Sequence, residues 1–147
     1  MTAIGQIAVR GRAVNYAGKG VRAVEGIIDL AITFVILWIV AKFAGQTTED
    51  GFSLKGGPAF IGIAISILYF VVMEALFGAT VGKLLLKLRV VKADGSLIGW
   101  REAIVRNVLR IVDGLALYLV GFIVVCVTEK RQRVGDMAAG TFVISGS

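Results

Sequence analysis

The sequence predicts an all-α membrane protein. It has two transmembrane helices, then an amphipathic helix with a re-entrant helical hairpin on the cytoplasmic side, and a small β-hairpin insertion. Three observations carry this. The 147 residues are 57% hydrophobic with a mean hydropathy of +0.86, against about 45–50% apolar residues in soluble domains. Two apolar runs reach the roughly 20 residues that hydrocarbon requires. A third, Leu115 to Val127, is only 13 residues long and follows an arginine-rich amphipathic stretch.

The elements follow in order within one domain, 1–147. Residues 1–21 form an N-terminal arm with Arg10, Arg12 and Lys19 but no apolar core of signal-peptide length. The first span, 22–44, is too long for a signal h-region and stays as an anchor. It breaks at GQTTEDGFSLKGGP, a glycine-rich polar loop ending at the single proline, Pro58. The second span, 59–77, is interrupted by Glu74 alone. In the loop and β-hairpin at 78–99, LRVVKADGSLI (Leu88 to Ile98) reads as a hairpin on a type I′ turn at Asp94-Gly95. GATVGKL, Gly78 to Leu84, lacks the phosphate-loop spacing and reads as a loop entering a helix. WREAIVRNVLRIVDGL then sets Arg106, Arg110 and Asp113 on one helical face and Ile104, Val108, Ile111 and Leu115 on another. This opens the amphipathic and membrane segment, 100–127, whose polar face suits anionic lipid. A C-terminal tail, 128–147, completes the chain.

Charge sets the orientation. Arg10, Arg12, Lys19 and Arg22 precede the first span, whereas the first loop carries Glu49, Asp50 and Lys55. The positive-inside rule therefore puts the N-terminus in the cytoplasm. A true third span would place Lys130, Arg131 and Arg133 outside, so the re-entrant reading is favoured over a three-span one. Gly62 and Ser66 form a small-xxx-small pair suited to close helix approach.

Charged residues inside the spans are the functional signal, because charge at membrane depth is costly and marks working sites. Arg22, Glu25 and Asp29 share a helix face, and Asp29 sits roughly 8 Å inside the cytoplasmic end. Glu74, near the end of an antiparallel span, reaches similar depth. A buried carboxylate requires a cationic partner, so a network of Arg22, Asp29, Glu74, Arg110 and Asp113 is expected, with Glu25, Arg106, Arg133 and Asp136 nearby. Proton or cation binding is assigned to Asp29, Arg22 and Glu74. Structural locking of the helices explains the same charges equally well.

The net charge of +6 reflects Lys and Arg flanking apolar spans, so nucleic acid is not an expected partner. With no His and a lone Cys126 in an apolar run, neither a disulfide framework nor a metal site is expected, and Cys126 reads as a packing residue. Nothing resembles a nucleophile with its base or a dinucleotide fingerprint, so neither an enzyme nor a cofactor is expected.

Tyr16-Ala17-Gly18, Arg22, Ile28-Asp29, GKLLLKLRVVKADG, RNVLRIVD and KRQRVGDMAAGTFVI, in that order, resemble the RDD family of prokaryotic membrane proteins. The family is named for one arginine and two aspartates. The resemblance maps these onto Arg22, Asp29 and Asp136, and it lacks the proline commonly found between Thr80 and Gly82. It implies a multi-pass protein of the prokaryotic plasma (inner) membrane, with transport suspected and cation/proton antiport proposed for some members. Two spans and a hairpin scarcely enclose a pathway, so a transporter needs a homo-oligomer or a partner membrane subunit among the membrane lipids. The alternative is a non-catalytic scaffold that docks a partner or anionic lipid through its basic cytoplasmic face.

Overall fold

The computed structural model describes residues 6–9, 11–115, 123, 126–128 and 132–145. Most of the 116–127 run lies outside them. So do the side chain of Asp113 and the choice between a re-entrant and a spanning course for that run.

Two long helices dominate. Helix α1, Lys19–Phe43, and helix α2, Gly57–Phe77, pack antiparallel, joined by a loop in which β3, Thr47–Thr48, pairs with β4, Gly51–Phe52. Lys42 in the last turn of α1 complements the helix dipole, and Pro58 starts α2 where its missing N–H costs nothing. Both helices are long and apolar enough to cross a membrane. Only 11% and 28% of their most apolar windows are buried inside the protein. A soluble core helix would be mostly buried, so Ile27, Phe34, Trp38, Phe60, Leu68 and Phe77 form an outward apolar belt fit for lipid. The expected close approach at Gly62 is present: a Cβ there would lie 2.7 Å from Leu37 Cδ2.

At one end of this pair a compact cap forms. Gly78, at φ +66°, ends α2 in the left-handed conformation that favours glycine. Helix α3, Val81–Leu85, follows, its first turn capped by the Thr80 hydroxyl, which accepts from Lys83 N at 3.3 Å. Strand β5, Leu88–Lys92, leads through a turn to helix α4, Trp100–Leu115. Helix α5, Val134–Ala139, and strand β6, Thr141–Ser145, end the described chain.

The expected hairpin forms only at the end of β5, and its turn is of another type. Val91 bridges Leu97, and Lys92 N donates to Ser96 O at 2.8 Å. Of the turn residues only Gly95 has positive φ, and Gly95 N donates to Lys92 O. A type I′ turn needs positive φ at both central residues, so the loop is instead a type I turn closed by a left-handed glycine. The full ladder of β5 is made with β6, from Leu88↔Ser145 to Lys92↔Thr141. Residues 132–145 are thus an integral part of the cap and not a loose tail.

The N-terminal arm is also built in. Its hairpin pairs β1, Gln6–Val9, with β2, Arg12–Asn15. Tyr16 then bridges Ile144, and Ala17 N donates to Val143 O at 2.9 Å. Both described termini therefore lie at the same end of the helix pair. A small core of Ala17, Val71, Leu88, Val90, Ile98, Ala103 and Val143 joins the sheet to α2 and α4.

Helix α4 is amphipathic with its polar face inward. Ala103, Arg106 and Asn107 are buried, whereas Trp100, Ile104 and Val108 are about half exposed. The polar face expected to rest on lipid turns instead toward α2 and α5, because the buried carboxylates there need its donors.

Candidate functional site

The cap and the ends of α1 and α2 enclose a network of charges. Lys83 is its centre: fully buried, with Nζ 2.9 Å from Glu25 Oε1, 3.1 Å from Glu74 Oε1 and 3.8 Å from Asp29 Oδ2. These carboxylates come from both apolar helices, and α3 delivers the ammonium between them.

Glu74 is the most completely satisfied member. It accepts from Arg106 Nε at 3.0 Å, Arg106 Nη2 at 3.3 Å and Asn107 Nδ2 at 2.9 Å. Arg110 lies 4.0 Å from it, with its guanidinium 4.0 Å from the Phe70 ring centroid. Arg106 lies opposite Glu74, and Arg110 lies one turn deeper, opposite Phe70. Helix α4 therefore runs inward beside α2.

Asp29, fully buried, accepts from the Thr80 hydroxyl at 3.0 Å and from Arg110 Nη1 at 3.4 Å, both on Oδ2. Its other oxygen, Oδ1, has no hydrogen-bond donor among the described residues and lies against the backbone of Gly82. A Cβ at Gly82 would stand 2.6 Å from Oδ1 and 3.2 Å from Glu25 O, so only glycine lets α3 approach α1 this closely.

Arg22 turns toward the other side of the network. Its Nη2 donates to Asp136 Oδ2 at 2.9 Å and its Nη1 lies 3.6 Å from Glu25 Oε2. Asp136 also pairs with Arg106 and accepts from Arg133 N at 3.0 Å, while Arg133 Nη2 reaches Glu25 at 3.5 Å. Burial raises the affinity of the Asp136 carboxyl for a proton. Arg106 and then Arg22 outweigh that, so it stays below its ordinary carboxylate value.

The structure thus brings together Arg22, Glu25, Asp29, Glu74, Arg106, Arg110, Arg133 and Asp136; the side chain of Asp113 is outside the described residues. The pairing differs from the expected one in one respect. Arg22 serves Asp136 and Glu25, whereas Asp29 takes its cations from Lys83 and Arg110. Sequence reasoning missed Lys83, Thr80, Asn107 and Thr141, whose hydroxyl accepts from Arg106 at 2.7 Å. Asn107 was findable, since it neighbours Arg106 on the polar face of α4. Lys83 was one of several basic residues in a polar stretch, and nothing local marks it as the one that is buried.

The RDD family model matches residues 16–140. The chain belongs to the RDD family. No curated protein and no solved structure matches it significantly. In this RDD protein Arg22 and Asp136 touch directly. Asp29 joins them through Lys83 and Glu25. This RDD family membrane protein therefore has two apolar helices and a buried Arg/Asp network.

Proposed function

We propose that this RDD protein is a small transporter-like unit in which Asp29 binds a proton or a cation, tuned by its charged neighbours and working within a homo-oligomer or beside a partner membrane subunit. The observation that carries the reading is the asymmetry of Asp29. One oxygen is held by Thr80, Lys83 and Arg110, and the other is buried without a donor among the described residues. A buried acceptor left unpaired costs about 1–3 kcal/mol. Protonation of Oδ1, or a bound cation, removes that cost, and this is the property a relay site needs.

In this reading Arg22 and Asp136 act at a distance by fixing Glu25, which shares Lys83 with Asp29. Glu74 competes with Asp29 for the same ammonium, so a change of charge at one is felt at the other. The basic side of the cap faces the cytoplasm of a prokaryotic inner membrane.

A second reading is favoured by the completeness of the network, in which every named cation has a carboxylate within 4.0 Å. That is also the geometry of a helix lock in a scaffold, with exposed Lys87 and Arg89 available to a partner or to lipid.

Proton flux in proteoliposomes, reported by an internal pH dye under Na⁺, K⁺ and Li⁺ gradients, separates the two. Wild-type flux lost in a well-folded Asp29→Asn variant supports the relay. Absence of flux from the wild type refutes it and leaves the scaffold.

A further inference from the structure

Glu25 and Asp29 lie one turn apart on α1, and both are fully buried. Lys83 faces one oxygen of each, Glu25 Oε1 at 2.9 Å and Asp29 Oδ2 at 3.8 Å. The other two oxygens, Glu25 Oε2 and Asp29 Oδ1, are buried acceptors with no hydrogen-bond donor among the described residues. Arg22 Nη1 at 3.6 Å and Arg133 Nη2 at 3.5 Å approach Oε2 but stand beyond the about 2.7–2.9 Å of a charge-assisted hydrogen bond. A carboxylate oxygen has more than one lone pair, so these approaches leave Oε2 able to accept again.

The two carboxyl groups stand within hydrogen-bonding reach of each other. Two acceptors cannot satisfy one another until one of them carries a proton, and like charges this close in a buried site favour holding one. A metal ion fits this place poorly. Hard cations gather about six or more oxygens, whereas Oδ1 is closed over by Gly82, where a Cβ would stand 2.6 Å away, and Oδ2 already faces Thr80, Lys83 and Arg110.

We propose that the ligand of this site is a single proton, carried on Asp29 Oδ1 and donated to the Glu25 carboxylate. Glu25 is the accepting half because its contact with Lys83 is the shorter one, which makes it the better-stabilised anion. The inference rests on the reading of Asp29 as a proton or cation site and adds Glu25 as the second half of that site. The titratable and charged groups around the pair are Arg22 on α1, Tyr69 and Glu74 on α2, Lys83 on α3, Arg110 on α4 and Arg133 at the start of α5.

The test follows the carboxyl carbon-13 signals of Glu25, Asp29 and Glu74 by solid-state NMR. The wild-type full chain is held in lipid bilayers, each signal is assigned through its own backbone, and pH is varied over the range in which the fold persists. Asp29 and Glu25 should shift together with one midpoint, Asp29 by the larger amount, because interacting groups titrate as a pair. Glu74 is the internal control: it shares Lys83 at 3.1 Å but not the proton, so its signal should stay still. Replacing water by deuterium oxide should move the Glu25 signal more at the low-pH end than at the high-pH end, since the shared proton is the contact that differs between them. A still Glu25 beside a titrating Asp29 overturns the proposal, because Asp29 then holds its proton alone. Movement of all three signals together also overturns it, since Lys83 is then the titrating group, as does the absence of any movement. Na⁺, K⁺ or Li⁺ shifting the Asp29 signal at constant pH, where choline does not, replaces the proton by a metal ion and refutes the proposal. Flux is read separately: a shared midpoint without flux keeps the proton pair and removes the relay, whereas flux with a still Glu25 keeps the relay and removes the pair.

Discussion

Replacing Lys83 by Met tests the architecture of the network most directly. The apolar chain of Met fills nearly the same space, so the perturbation is the loss of one ammonium shared by three buried carboxylates. Their remaining partners differ. Glu74 keeps Arg106 at 3.0 and 3.3 Å and Asn107 at 2.9 Å, and Asp29 keeps Thr80 and Arg110. Glu25 loses its one short contact, 2.9 Å, and is left with Arg22 at 3.6 Å and Arg133 at 3.5 Å. Removing one partner of a buried ion pair costs about 3–5 kcal/mol, and here most of that falls on Glu25. The double variant Lys83→Met/Glu25→Gln should therefore be more stable than Lys83→Met alone by about 1–2 kcal/mol, the size of coupling seen between contacting residues. Reversible unfolding in mixed micelles, followed by tryptophan fluorescence during dodecyl sulfate titration, measures both. The reasoning is refuted if Lys83→Met costs less than about 1 kcal/mol, or if adding Glu25→Gln gives no recovery.

Three further outcomes are expected. Gly82→Ala should destabilise by about 1–3 kcal/mol, because its Cβ meets both the Asp29 carboxylate and the Glu25 backbone carbonyl, and the latter cannot swing aside; a melting temperature within a degree of wild type counts against the packing described. Asp136 has a folded-state proton affinity below its ordinary value. Its contribution to stability is thus fully present above its unfolded pKa of about 3.9 and is lost as pH falls through the lower folded value. Unfolding measured from pH 6 to pH 3 should show an acid-labile limb in the wild type that is reduced in Asp136→Asn. Finally, with Trp38→Phe leaving Trp100 as the one indole, lipids carrying a quencher near the headgroup should quench its fluorescence, since α4 turns Trp100 outward; no quenching would place that face away from lipid.

What the sequence disclosed and what it hid divide along physical lines. The two long apolar helices were legible because each is a continuous apolar run of about 20 residues, and their charges were legible because carboxylates there need partners. The meeting of Asp29 with Glu74 followed from antiparallel packing alone. The polar face of α4 was visible as a pattern, but its direction was not: Arg106, Asn107 and Arg110 have the same spacing whether they meet phosphates or carboxylates. The pairing of β5 with β6 was hidden by separation along the chain, while the nearby Asp94-Gly95 turn offered a local partner that satisfies only the end of the strand. Lys83 was hidden for a related reason. A five-residue helix carries almost no periodic signal, and its burial depends on Thr80 as cap and Gly82 as contact, neither distinctive alone.

The bond between Arg22 and Asp136 spans 114 positions of sequence. During synthesis, then, the first span leaves the ribosome long before its counter-ion exists. Arg22, Glu25 and Asp29 therefore lack these partners until Lys83, and later Asp136, are made. The second span and α3 complete half of the arrangement, and β6 closes it by pairing with β5 and catching Tyr16. Residues 132–145 are therefore the latch of the cap, and a chain interrupted before residue 136 would leave Arg22 without its 2.9 Å partner.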